Sequence, residues 1–118
     1  MDIRERAFLF AVRVVKLCKY LEKNSDVSRN VISQLLRAGT SVGANLEEAK
    51  AGQSTADFIH KNAIALKEAR ESNYWLRLIL STENLKDEIR LGITELSGEA
   101  IVIAKIVAKT ILTAKRPK

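Results

Sequence analysis

Apolar residues return at alternating steps of four and three along four separate stretches of this chain, the spacing of helices that bury one side. Ile3, Ala7, Phe10, Val14, Leu17 and Leu21 form the first such seam and predict a helix over about 3–23. Phe8, Val12 and Val15 widen its apolar stripe, and Arg6, Arg13, Lys16, Tyr20 and Lys23 make its wet side. Asn24-Ser-Asp26 reads as a turn, with Asp26 or Ser28 able to cap a second helix over about 28–51. The seam of that helix is Val31, Leu35, Ala38, Val42, Asn45 and Ala49, and Gly52 falls just past its end, where a left-handed backbone suits glycine. Ser54, with Asp57 three residues on, caps a third helix over about 55–81, whose seam is Phe58, Asn62, Ala65, Ala69, Ser72, Leu76 and Ile79. The fourth helix runs over about 86–114 on Ile89, Ile93, Leu96, Ala100, Ile103, Val107 and Ile111. Gly92 and Gly98 each weaken it by about 1 kcal/mol relative to alanine and make Gly92 a point where it can break. Residues 115–118 form a frayed basic tail.

Short loops make consecutive helices antiparallel neighbours. The expectation is therefore an all-α, up-down-up-down four-helix bundle, with residues 1–118 as one domain. Composition agrees: 47% of residues are hydrophobic and only 5% aromatic, so the core must be aliphatic, and one proline and five glycines are too few for many short strands. Cys18 is the only cysteine, which excludes an intrachain disulfide and reads as a small buried hydrophobe. The N-terminal residues lack the basic-then-apolar order of a signal peptide, and Lys105 and Lys109 interrupt the most apolar run. A cytoplasmic protein without membrane contact is expected.

The seams of the second and third helices break the usual rule, because polar and small residues stand where Leu and Ile belong. Arg37, Ser41, Asn45 and Glu48 line one side of the second helix; Asn62 and Ser72 lie in the third seam, flanked by Glu68 and Glu71. Buried, such groups need partners, and the plain reading is a structural polar network that sets helix register. A ligand or partner site is the sharper alternative. Gly39 and Gly43, with Ala38, Thr40, Ser41 and Ala44, let another helix approach closely, inside the bundle or between subunits.

These polar residues do not assemble into known chemistry. A di-iron bundle needs two Glu-x-x-His motifs; Asp57-Phe-Ile-His60 has the spacing, but His60 is the only histidine. The same shortage leaves Ser41 without a credible triad, and no glycine-rich phosphate loop is present. The expectation is no catalytic residue, no metal, no cofactor and no enzymatic activity.

A net charge of +6 permits contact with RNA or DNA without requiring it. Three basic rows carry that charge: Arg13, Lys16 and Lys23 around Tyr20 on the first helix; Lys67, Arg70 and Arg77 around Tyr74 on the third; and Lys105, Lys109, Lys115 and Arg116 on the fourth helix and tail. Arg and Lys can pair with phosphates while Tyr stacks on a base. Each row alone is commonly a solvated face, so the rows matter only if they converge.

Ser41-Val-Gly-Ala-Asn45-Leu-Glu-Glu48-Ala, then Ser54-x-x-Asp57-Phe58-Ile, then Glu68-Ala-Arg-Glu71-x-x-Tyr74-Trp75-Leu76 resemble the bacterial four-helix bundle protein family. That family includes proteins encoded by intervening sequences in large-subunit ribosomal RNA genes and, as a related branch, the accessory variability determinant of diversity-generating retroelements. The resemblance is carried by the second and third helices; the first and fourth agree by pattern. The family's first block ends in Glu-Gly, whereas here Ala49 follows Glu48 and glycine comes at Gly52, which marks a subfamily. The resemblance implies a homo-oligomeric ring, typically a pentamer, without enzymatic activity. It also implies a basic surface that, in the retroelement relatives, meets structured RNA and a reverse transcriptase. A ring would account for the surplus of apolar flanking residues such as Phe8, Val15, Val102 and Ile106. The expected function is thus nucleic-acid binding, RNA before DNA, by a ring-forming bundle; the alternative is a protein-interaction scaffold that binds no nucleic acid.

Overall fold

The computed structural model describes residues 1–52 and 54–117. Four helices account for nearly all of them: α1 (Ile3–Asn24), α2 (Arg29–Lys50), α3 (Thr55–Thr82) and α4 (Asp87–Ala114). Each boundary lies within two residues of the sequence expectation, the usual latitude of helix ends. Side chains cap three of the four starts. Asp2 accepts from the Arg4 amide, Ser28 from Val31 and Ser54 from Asp57. The α4 start has no side-chain cap, but Asp87 and Glu88 place negative charge at the positive end of its dipole.

Cross-helix contacts show the topology. Arg4 pairs with Glu47 while Cys18 meets Ile32, and Glu48 pairs with Lys61 while Arg37 reaches Glu68 and Glu71. Asn73 meets Ser97 while Leu80 meets Arg90, so each successive helix reverses direction. The backbone of each helix runs close to those of its two neighbours and not to that of the diagonal one, and the α1 and α4 backbones approach each other least. The result is an up-down-up-down bundle measuring 52 × 22 × 19 Å.

The core is aliphatic, with Phe10 its one fully buried aromatic, and it follows the expected seams with instructive exceptions. On α2 the buried positions are Ile32, Leu35, Ala38, Gly39, Val42, Leu46 and Ala49; Leu46 takes the place expected for Asn45, which is half-buried. At about 100° per residue, the step of four from Val42 to Leu46 strays about 40° from the buried line and the step of three to Asn45 about 60°, so Leu46 lies nearer the core. Cys18 is buried beside a half-buried Leu17 for the same reason. Tyr20, assigned to the wet side of α1, is half-buried against the core. Phe8, by contrast, is 65% exposed.

The glycines separate by what surrounds them. A Cβ at Gly39 would lie 2.7 Å and 2.8 Å from the Val14 methyls, and one at Gly43 would lie 3.5 Å from the Ala7 backbone. Gly39 therefore serves the α1–α2 contact inside the bundle, while Thr40 and Ala44 of the same stripe stay open to solvent to differing degrees. Gly52 does not adopt the left-handed conformation expected of it, since no described residue has positive φ. Its need is space: a Cβ there would come within 2.6 Å of an Asp57 carboxylate oxygen. Gly92 and Gly98 face open surroundings, and α4 runs through both without the expected break.

Two predictions follow from this packing. Gly39→Ala should cost about 1–3 kcal/mol, because the new methyl would overlap the fully buried, β-branched Val14. Gly92→Ala and Gly98→Ala should each stabilise by up to about 1 kcal/mol; urea unfolding of the three variants checks the order. Burial, reinforced by Glu22, pushes the Cys18 thiol up to about 11 from 9.0. A raised value keeps the thiol protonated in the folded state, and the stability tied to it falls as pH rises from 9.0 toward 11. Iodoacetamide at pH 8 should accordingly label native Cys18 about a hundredfold more slowly than the unfolded chain, measured by intact mass.

Candidate nucleic-acid interface

The polar residues of α2 and α3 meet in a compact cluster. The Arg37 guanidinium donates to Glu68 at 2.7 Å and also to Glu71, and it holds Gln34 of its own helix at 3.2 Å. Glu68 and Glu71 are three residues apart, so both project toward α2. The Glu68 side chain is 7% exposed, against 48% for Arg37, so an open arginine closes over a buried carboxylate. The Trp75 indole N–H donates to the same Glu71 oxygen at 3.2 Å, one turn further along α3. Trp75 in turn meets Tyr74 edge-on, with ring centroids 5.1 Å apart and planes at 77°.

The other members expected in this network bond elsewhere. Ser41 donates to the Arg37 carbonyl, Asn45 to Ser41, Asn62 to Phe58 and Ser72 to Glu68, each within its own helix. Glu48 reaches only Lys61, at 3.6 Å. These short polar side chains satisfy themselves on the preceding turn, and no buried side-chain N or O among the described residues lacks a partner. Of the polar residues expected in this network, Arg37, Glu68 and Glu71 make the short hydrogen bonds between α2 and α3.

With the acids of α3 turned toward α2, its outer side is left basic. His60, Ala63, Lys67, Arg70, Tyr74, Arg77 and Ser81 are all exposed, follow one another by steps of three and four, and include no carboxylate. Arg4, Arg6, Arg13, Arg37 and Lys61 each have an acidic partner; Lys67, Arg70 and Arg77 have none among the described residues. Their guanidinium and ammonium groups are free to meet an external anion.

The three basic rows do not form one surface. Lys105 of α4 joins Arg70 along a groove of about 260 Å³ floored by Ala69, Ala100, Ala104 and Ala108, with Ile101 exposed beside it. Lys109 is exposed further along α4, and Lys115 and Arg116 are exposed at its C-terminal end. Arg13 and Lys16 lie on α1, diagonal to α3 across the bundle, and Arg13 pairs with Glu95 at 3.5 Å. Trp75 is the member that sequence reasoning left without a role. Its signal was the four-residue step from Glu71, which places an indole N–H over a carboxylate.

His60 is exposed, and no group of three or more His, Cys, Asp or Glu side chains gathers among the described residues in a way that could hold a metal ion. No helix among them is long and apolar enough to cross a membrane.

Residues 1–108 match the family model described as 23S rRNA-intervening sequence protein. The chain is also similar to a solved structure of a protein with unknown function from the S23 ribosomal protein family of Bacteroides thetaiotaomicron. That similarity amounts to 39% identity and a TM-score of 0.84, over 93% of this chain and 98% of the other. No curated protein matches the chain.

Removing the cation from the seam should be costly. Arg37→Leu strands the Glu68 carboxylate and should destabilise the fold by about 1–3 kcal/mol, below the loss for a fully buried pair because Arg37 is half open to solvent. Arg37→Leu combined with Glu68→Leu should recover part of that loss in the same urea titration, since no buried charge remains.

Proposed function

Because the chain belongs to the 23S rRNA-intervening sequence protein family, we propose that it is a non-enzymatic RNA-binding bundle that works as a self-assembled oligomer. One observation carries the reading. The outer side of α3 presents Lys67, Arg70 and Arg77 with Tyr74 among them, with no carboxylate in the row and no acidic partner for the three cations among the described residues. Cations without internal partners keep their full attraction for phosphates. Lys105 and Lys109 on neighbouring α4 extend the positive field to the next helix, and the +6 net charge adds long-range attraction. DNA offers the same phosphates, but the family is defined by its rRNA-gene setting, which favours RNA.

The exposed apolar side chains support self-assembly. Phe8, Leu9, Ile101, Val102 and Leu112 remain uncovered on the single chain. Phe8 stands beside a groove of about 730 Å³ whose wall includes Ala11, Thr40, Gly43 and Ala44. A second copy covering these residues would remove apolar surface from water, and a pentameric ring is the arrangement proposed. The same surfaces favour, as a second reading, a scaffold for a protein partner such as a reverse transcriptase.

Fluorescence anisotropy with a short labelled RNA, alongside light scattering of the same samples, tests the reading. Binding should weaken steeply between 50 and 200 mM salt. Replacing Lys67, Arg70 and Arg77 together by Gln should reduce the magnitude of the salt slope by about two, close to 0.7 for each phosphate contact to a single strand. No binding at low salt, or binding no tighter than that of an unrelated basic protein of equal charge, would refute RNA recognition. A monomeric mass at micromolar concentration would refute the assembly.

A further inference from the structure

We infer that Tyr74 is a stacking platform for an unpaired base, held in place from inside the bundle by Trp75, Glu71 and Arg37, and that the α3 site therefore selects single-stranded RNA over duplex. The inference rests on the RNA reading and specifies the ligand of the same site.

An unbroken line of contacts leads from the α2–α3 seam to the surface. Arg37, on α2, fixes Glu71. Glu71 accepts from the Trp75 indole at 3.2 Å. The Trp75 ring, half-buried against the core, meets Tyr74 nearly at right angles at 5.1 Å. Tyr74 itself is 54% exposed. A surface tyrosine without such backing samples several rotamers and loses that freedom when a ligand orders it; one restrained from behind loses less. Glu71 and Trp75 thus act as positioning residues for the Tyr74 ring.

What surrounds the ring fits a nucleotide strand. Arg70 precedes Tyr74 by four residues and Arg77 follows it by three, so both lie within about one helical turn on the same side. A strand crossing this row can place phosphates against Arg70 and Arg77 while the base between them lies on Tyr74. A-form duplex offers those phosphates but keeps its base faces stacked on one another, leaving none for the tyrosine. Base–aromatic stacking tolerates any base, so the preference is for strandedness and not for sequence.

The test compares a fluorescein-labelled 12-residue oligouridine with an RNA duplex of equal length, at equal salt. The single strand should bind wild type at least tenfold more tightly. Tyr74→Leu should lower that affinity about tenfold with the salt slope unchanged, because no phosphate contact is lost, while Tyr74→Phe should stay within twofold. Glu71→Gln raises the net charge and would strengthen a purely electrostatic site; here it should weaken oligouridine binding several-fold while leaving duplex binding equal or stronger. Trp75 is the only tryptophan, so quenching of its emission by unlabelled oligouridine reports contact at the platform. Equal binding of strand and duplex together with an inert Tyr74→Leu would overturn the inference and leave RNA binding standing. Failure of both probes to bind would overturn the RNA reading itself.

Discussion

A carboxylate buried in an aliphatic bundle cannot stand alone, and the pairing of Glu68 with Arg37 is the constraint from which the organisation of this protein's α3 follows. With the side chain of Glu68 almost shut off from water, its charge is tolerable only because the guanidinium closes over it from α2. That pairing agrees with the rotation of α3 that buries Ala65, Ala69, Leu76 and Ile79. Once Glu68 and Glu71 face α2, the helical period sends Lys67, Arg70, Tyr74 and Arg77 outward. Buried acids and exposed bases are two consequences of one rotation.

The helix pairs are held by different means. Along α1 and α2 the contact is steric: Gly39 receives the Val14 methyls and Gly43 lies against the Ala7 backbone. Along α2 and α3 it is electrostatic, through Arg37. Along α3 and α4, alanines at 69, 100, 104 and 108 leave a shallow groove, and Ser97 donates to Asn73 across the pair. The α1–α4 contact relies on charge at its edge, where the Arg6 fork grips Glu99 through two bonds of 2.7 and 2.9 Å. The Glu99 hydrogen bonds raise the affinity of Arg6 for its proton.

The helices, their order and most of the core were legible because four long stretches kept one period and their caps were spelled out by Ser28, Ser54 and Asp57. Asn45 was misplaced because a strict alternation of steps ignores that a step of four from Val42 stays nearer the buried line than a step of three, and Leu46 stood there with a stronger claim to the interior. Phe8, read from the sequence as a flanking residue beyond what one bundle core needs, is indeed left open to water. The site was harder still. Residue spacing groups Lys67, Arg70, Tyr74 and Arg77 on one side of α3, but it cannot show that their carboxylate neighbours point away. Nor can it show that Ser41, Asn45 and Asn62 bond their own helices while Arg37 reaches across the seam to Glu68 and Glu71. Those facts depend on helix rotation, which exists only once the bundle is packed.

The proposed binding and the proposed assembly need each other. The row from Lys67 to Arg77 is about 15 Å long, room for one base on Tyr74 and a few phosphates. One stacked base and a few solvated ion pairs make a weak contact on their own, quickly lost in salt. Repeating the row around a ring would make later contacts with the same strand intramolecular, and affinity then grows without any new kind of interaction. The apolar residues left open at Phe8, Ile101, Val102 and Leu112 give the chain a reason to associate, and the basic row gives the association something to hold. Under the proposed reading, the open apolar residues and the basic row act together: one brings copies of the chain side by side, and the other lets those copies share a strand.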